Sequence, residues 1–156
     1  MKKLRKDNKG FTLVELIVVL VILAILAAIL VPALLGYIDE ARQKQMVLHG
    51  KSVHTAAQSV ATQYYAKGTA PVDDKTNFAA KVSEIADLDE FGVKGVKAEI
   101  TFTKSGSHSG YVIETIAYGE TEDSKTEWIE LVNGSWESVS GTPTTGDVTV
   151  EWGTNP

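Results

Sequence analysis

The sequence predicts an α+β protein: a long N-terminal α-helix, transmembrane at first and then amphipathic, packed on a C-terminal antiparallel β-sheet. Three observations lead there. Residues 16–35 read LIVVLVILAILAAILVPALL, with no charge among them. Apolar residues then recur at three- and four-residue steps as far as Tyr64, the spacing of one helix face. Beyond residue 95 the pattern changes to alternation punctuated by turn residues, the mark of strands. On these grounds the 156 residues divide into a polar leader (1–10), an apolar helix (11–38), an amphipathic helix (39–66), a connecting region (67–95) and a sheet with a C-terminal loop (96–156). That length makes a multidomain enzyme an unsuitable reading.

Charge follows the same division. Lys2, Lys3, Arg5, Lys6 and Lys9 stand against Asp7 in the first ten residues, a net of +4, whereas the whole chain carries −5 and residues 11–156 therefore −9. A body that acidic repels phosphate backbones, which argues against nucleic acid as the main ligand. There is no cysteine, so a disulfide framework, thiolate zinc sites and cysteine nucleophiles are excluded.

A charge-free helix of twenty residues rises about 30 Å, the thickness of a bilayer's hydrocarbon core. A chain this short has too little other apolar mass to bury such a helix on every side, so membrane insertion is expected. The basic flank at residues 1–10 then stays in the cytoplasm by the positive-inside rule and the acidic body faces out, a single pass with the N-terminus in. A cleaved secretory signal fits less well. Its apolar core is about 7 to 15 residues long and ends at small residues, whereas here Ile29, Leu30 and Val31 follow Ala27 and Ala28 without a break. The polar leader ends instead at Lys9-Gly10, directly before Phe11.

Glu15 conflicts with simple anchoring. It falls inside the apolar stretch, and a carboxylate near mid-bilayer costs about 2.5 to 3.5 kcal/mol on insertion scales. It needs either a wet headgroup position or a cationic partner. Cleavage after Gly10 would supply one, because Phe11 would gain an α-amino group that is largely cationic near neutral pH. Between helices offset along their axes, the amine of one chain meets the carboxylate of the next, and such a pair offsets both buried charges while specifying axial register.

The run Lys9-Gly10-Phe11-Thr12-Leu13-Val14-Glu15-Leu16-Ile17, preceded by a short basic leader and followed by an apolar helix with an internal Pro32, resembles the N-terminal region of type IV pilins. The resemblance covers about residues 1–45. It implies that a prepilin peptidase cleaves after Gly10 and N-methylates Phe11, and that Glu15 neutralises the amino terminus of an adjacent subunit during assembly. It further implies a lollipop-shaped subunit whose head is built on an antiparallel sheet. Many members of that family close a C-terminal loop with a cysteine pair. This chain has none, which is compatible with a Gram-positive pilin.

Pro32 removes one helical amide at a cost of about 3 kcal/mol in a helix interior, and Gly36 follows, so a kink or local unwinding is expected between Ala28 and Gly36. The resemblance implies that such melting accompanies packing into filaments. Ala24 and Ala28 form a small-x-x-x-small pair that permits close helix approach. Past Tyr37, Ile38, Ala41, Leu48, Val53, Ala56, Ala57, Val60, Ala61 and Tyr64 form the expected packed side. Asp39, Glu40, Arg42, Lys44 and Lys51 form the solvated one. Lys67-Gly68 with Pro71 beyond is a helix stop, which predicts one helix from Phe11 to about Ala66.

In the connecting region Phe78, Val82, Ile85 and Ala86 mark a short helix. Val96, Ala98, Ile100 and Phe102 alternate with polar residues as a first strand. A second is expected at Tyr111–Tyr118, a third at 127–132, and a fourth at 135–139 after Asn133-Gly134, a two-residue hairpin signal. That turn predicts the pairs Leu131/Trp136 and Trp128/Val139, and an unfavourable Glu130/Glu137 pair that only a wet face tolerates. Val148, Val150 and Trp152 mark a last short strand.

Catalytic and metal chemistry find little support, and no cofactor is expected. His49 and His54 lie about 140° apart around a helix, too far to share a zinc ion, and read as surface histidines. His108 sits in a Ser/Gly loop without a glycine elbow or acid partner. Asp87-Leu88-Asp89-Glu90-Phe91-Gly92 copies positions 1, 3 and 6 of a calcium loop but puts Phe91 and Ala98 where oxygen ligands belong. Asn133-Gly134-Ser135 matches a glycosylation acceptor, but the hairpin turn explains it better.

The functional expectation is a structural subunit, not an enzyme. It is stored in the cytoplasmic membrane, cleaved after Gly10 and polymerised into a surface filament for adhesion, motility or biofilm formation. The alternatives are a pseudopilin of a type II secretion system, a minor pilin, or a tethered binding domain. Implied partners are identical subunits, prepilin peptidase, the assembly platform and ATPase, and membrane lipid before assembly.

Overall fold

The computed structural model describes residues 10–87, 95–122, 125–143 and 146–152. The expected leader, apart from Gly10, and the calcium-like segment beyond Asp87 therefore lie outside the described residues. Helix α1 spans Leu13–Lys67, a single 3₁₀ turn Pro71–Asp73, and α2 Lys75–Ala86. Among the described residues five strands follow: β1 Val96–Phe102, β2 Ile113–Glu122, β3 Lys125–Val132, β4 Ser135–Val139 and β5 Val148–Trp152. The chain is α+β, as the residue pattern requires, and it resolves into two compact units, Met1–Arg42 and Gln43–Pro156.

Within the first unit every residue from 11 to 42 is exposed, including the whole Leu/Ile/Val run. The helix is nevertheless unbroken, because its amides are satisfied internally. It continues through Pro32 and Gly36, so the unwinding expected between Ala28 and Gly36 is not found in the single chain. Proline deletes one N–H, and the turns on either side carry the helix past it.

In the second unit the buried arc of α1 is Met46, His49, Gly50, Val53, Ala56, Ala57, Val60, Ala61 and Tyr64. Leu48, assigned to that arc from spacing, is instead 65% exposed, and Ile38 and Ala41 are exposed as well. Leu48 stands five residues from Val53, about 140° around the helix, so both cannot face the sheet. Gly50 fits where Leu48 does not. A Cβ there would lie 2.9 Å from the Trp136 ring and 3.2 Å from Ile129, so the helix sits on the sheet only because this position carries no side chain.

The sheet order is β4-β3-β2-β1-β5, all neighbours antiparallel. Val96, Ala98, Ile100 and Phe102 of β1 join Ile116, Tyr118, Ile129, Val148 and Val150 in one core with α1 and with Phe78 and Val82 of α2. The Asn133-Gly134 turn has φ of 50° and 82°, positive at both central residues as the tight hairpin needs. It produces the expected register, with Leu131 opposite Trp136, Trp128 opposite Val139 and Glu130 opposite Glu137. The second strand begins at Ile113, two residues later than alternation suggested, and runs on to Glu122. Gln58 of α1 accounts for the late start. Its side chain donates to the Tyr111 carbonyl at 3.2 Å and accepts from the Ile113 amide at 3.3 Å, taking the bonds a strand partner would have made.

The link from β4 to β5 must travel from one edge of the sheet to the other. It closes onto the face of β1 opposite the helices, where Glu99 is buried at 5% exposure despite its polar position in the alternation. The Glu99 carboxylate accepts from the Gly146 amide at 2.9 Å and the Thr149 hydroxyl at 2.8 Å, and Lys97 Nζ lies 3.2 Å away. Asp147 accepts from the Phe102 amide at 2.9 Å. Gly146 lies so close that a Cβ would fall 2.6 Å from the Ile100 amide nitrogen. These carboxylate bonds close the C-terminal strand in a chain that has no cysteine to do so.

Candidate functional site

The candidate site is the start of α1. Gly10, Phe11 and Thr12 precede the helix in non-helical backbone, and Phe11 is 81% exposed. A peptide bond in exposed, non-helical backbone is one a protease can engage, and the Gly10–Phe11 bond has that setting.

Thr12 is the helix N-cap and Glu15 the third helical residue, and the two form a reciprocal capping box. The Thr12 amide and hydroxyl both donate to Glu15 Oε2 at 2.8 Å, while the Glu15 amide donates back to Thr12 Oγ1 at 3.3 Å. Two polar groups that would otherwise be orphaned at a helix end are thereby satisfied, and the carboxylate sits where the helix dipole favours negative charge. Glu15 Oε1 has no partner among the described residues. Sequence reasoning assigned Glu15 a partner on another subunit and passed over Thr12. The spacing Thr12-x-x-Glu15 ahead of an apolar run is itself the signal for the box.

Beyond the cap, the apolar helix presents all of its side chains outward, and by length and composition it can cross a membrane. Pro32 and Gly36 lie on this exposed stretch, and nothing comes within 4 Å of a Cβ built at Gly36.

The histidines read as surface residues divide. His54 is half-buried, and desolvation lowers its pKa. His49 is fully buried, a correction that follows from the sheet packing on its side of α1. Its Nδ1 lies 2.7 Å from Glu120 Oε1, which also accepts the Tyr118 hydroxyl at 2.7 Å. Burial, reinforced by that bond, holds the Tyr118 hydroxyl well above the ordinary tyrosine range. This is a satisfied polar contact between helix and sheet. Among the described residues no group of three or more His, Asp or Glu is arranged to hold a metal ion.

The family described as "Prokaryotic N-terminal methylation motif" matches residues 5–31, a span that holds Gly10, Phe11, the Thr12–Glu15 box and most of the apolar helix. No curated protein and no solved structure matches the chain. The chain thus carries, ahead of a long apolar helix and an antiparallel sheet, the N-terminal methylation motif that is the signature of type IV pilin and prepilin-like proteins.

Proposed function

We propose that this protein is the structural subunit of a type IV pilus. The leader is cut after Gly10, Phe11 is N-methylated, and subunits leave the cytoplasmic membrane to polymerise through the apolar helix into a surface filament. The observation that carries the reading is Glu15: a carboxylate one turn inside a wholly exposed apolar helix, with one oxygen held by Thr12 and the other without a partner among the described residues. In a filament that second oxygen meets the Phe11 amine of a neighbouring subunit, so the charge pair forms only after cleavage and only between copies. Before assembly the capping box and the headgroup boundary hold the carboxylate, and the basic leader keeps the N-terminus cytoplasmic. Pro32 and Gly36 are the weak turn at which the helix opens when it packs among others. Prepilin peptidase, an assembly platform and its ATPase are the partners this life cycle needs, and a cysteine-free C-terminal closure suits a Gram-positive host.

The test has two parts. Mass spectrometry of the mature chain should find N-methylated Phe11 as its first residue; an intact Met1 or a cut near Ala28 would reject the reading. Glu15→Ala should leave the subunit in the membrane at normal level and lower sheared filament yield about tenfold or more. Undiminished yield would remove the role given to Glu15. High abundance of the chain in sheared filaments separates a major pilin from a pseudopilin or minor subunit.

A further inference from the structure

Charge in the globular unit is segregated by layer. Residues 43–87, which form the helical layer, carry five lysines against four carboxylates, net +1, whereas residues 95–152 carry three lysines against ten, net −7. The lysines of the sheet layer find carboxylates: Lys97 pairs with Glu99 and Glu151, Lys104 with Asp147, and Lys125 with Glu127. On the helical layer Lys51 has no carboxylate within ion-pair distance among the described residues. It lies in an open groove of about 470 Å³ lined by Leu48, Ser52, Thr55, Ser59 and Ile85. Leu48 is 65% exposed and Ile85 49%, and among the described residues Lys51 is the sole charge on the groove's walls.

The opposite problem stands on the β3–β4 hairpin. Glu130 and Glu137 face each other directly across the strands, a like-charge pair that destabilises a sheet, and neither has a cation within ion-pair distance among the described residues. Val132, beside them on the same face of β3, is 37% exposed. β4 is an edge strand, so nothing within the sheet lies beyond it.

We infer that the Leu48–Lys51–Ile85 groove is a docking surface for the β3–β4 hairpin of a second copy of this chain, with Lys51 received between Glu130 and Glu137 and Leu48 and Ile85 covering Val132. Each surface supplies what the other lacks. Lys51, with no carboxylate near it among the described residues, meets a carboxylate pair with no cation near it among them, and exposed apolar side chains meet one another. The two surfaces are different patches of one subunit, so the contact is head-to-tail and propagates, as an open polymer requires and a closed dimer does not. The inference rests on the filament reading and names the contact between heads that accompanies the helix core.

Because the chain has no cysteine, pairs can be introduced cleanly into the full-length protein. In sheared filaments, Lys51→Cys with Glu137→Cys should give an oxidised ladder of multimers, while Lys51→Cys with Glu114→Cys should give none. Lys51→Glu should lower filament yield about tenfold, and adding Glu137→Lys should restore it. Filaments of the Lys51→Cys with Glu137→Cys chain that give no ladder on oxidation, or a yield that Lys51→Glu leaves unchanged, would overturn the contact while leaving the filament reading intact. If the wild type forms no filament at all, it is the filament reading that fails.

Discussion

The two compact units share one helix and differ in what surrounds it. Across residues 11–42 every side chain of α1 is exposed, although most are Leu, Ile, Val or Ala. From Met46 to Tyr64 the same helix buries nine residues against the sheet, and several of those are Ala, Gly and His. Hydrophobicity is thus highest where burial within the chain is nil. In the second unit burial is decided by which residues allow backbone and ring to approach. The lesson is that the apolar half must find its cover outside the chain, in lipid or in other copies, while the amphipathic half is complete in water.

The largest expected effect comes from cutting between the two. A chain of residues 43–156 should remain in solution without detergent, monomeric, with the sheet retained in its circular dichroism. The full chain should need detergent or lipid. Aggregation of the truncated chain would show that its core is not self-sufficient.

Glu99→Ala should come next. It leaves the Gly146 amide and the Thr149 hydroxyl without their acceptor in a covered site, which costs about 1 to 3 kcal/mol. Hydrogen exchange should quicken in β5 before it does in β2 or β3. Equal protection across all three strands would mean that Glu99 does not hold the C-terminal closure.

The glycines of α1 sharpen the comparison, because the same substitution should act with opposite sign in the two halves. Gly36→Ala meets open space and should raise helix stability by about 1 kcal/mol, read as helicity in detergent. Gly50→Ala drives a methyl into Trp136 and should lower the stability of the globular unit by about 1 to 3 kcal/mol, read from a urea midpoint.

The smallest effect is a pH slope. Burial lowers the His54 pKa in the folded protein, so on acidification the unfolded chain takes up the proton first. Stability therefore falls as the pH drops through the ordinary histidine value of about 6.5, and is held above it. His54→Gln should flatten that slope, measured as urea midpoints between about pH 5 and pH 8.

What could be read beforehand depended on whether the signal was local. The apolar run, the helix stop after Lys67, the Asn133-Gly134 turn and its register each rest on a few adjacent residues whose backbone or transfer energetics are the same in any context. The Thr12–Glu15 box belongs with them, since its two residues stand three apart at the head of the apolar run. Leu48 and His49 were not legible. Helical spacing shows that a face exists but leaves its exact direction open, and with Gly50 admitting Trp136 the sheet settles on the arc that buries His49 and leaves Leu48 in solvent. Nor does alternation say that Glu99 is covered, since its donors come from a segment some fifty residues away, and only the crossing from β4 to β5 brings them together.

The amino-acid order by itself determined that this protein has a segment unable to rest in water, a helix that continues past it, and strands in a set register, because hydrophobic transfer, capping and turn strain act over a few residues. Tertiary structure alone decided which histidine is buried, which carboxylates close the C-terminal strand and which leucine is left outside. Those outcomes depend on how closely two distant backbones can approach, and that distance is set by the packing of the whole core.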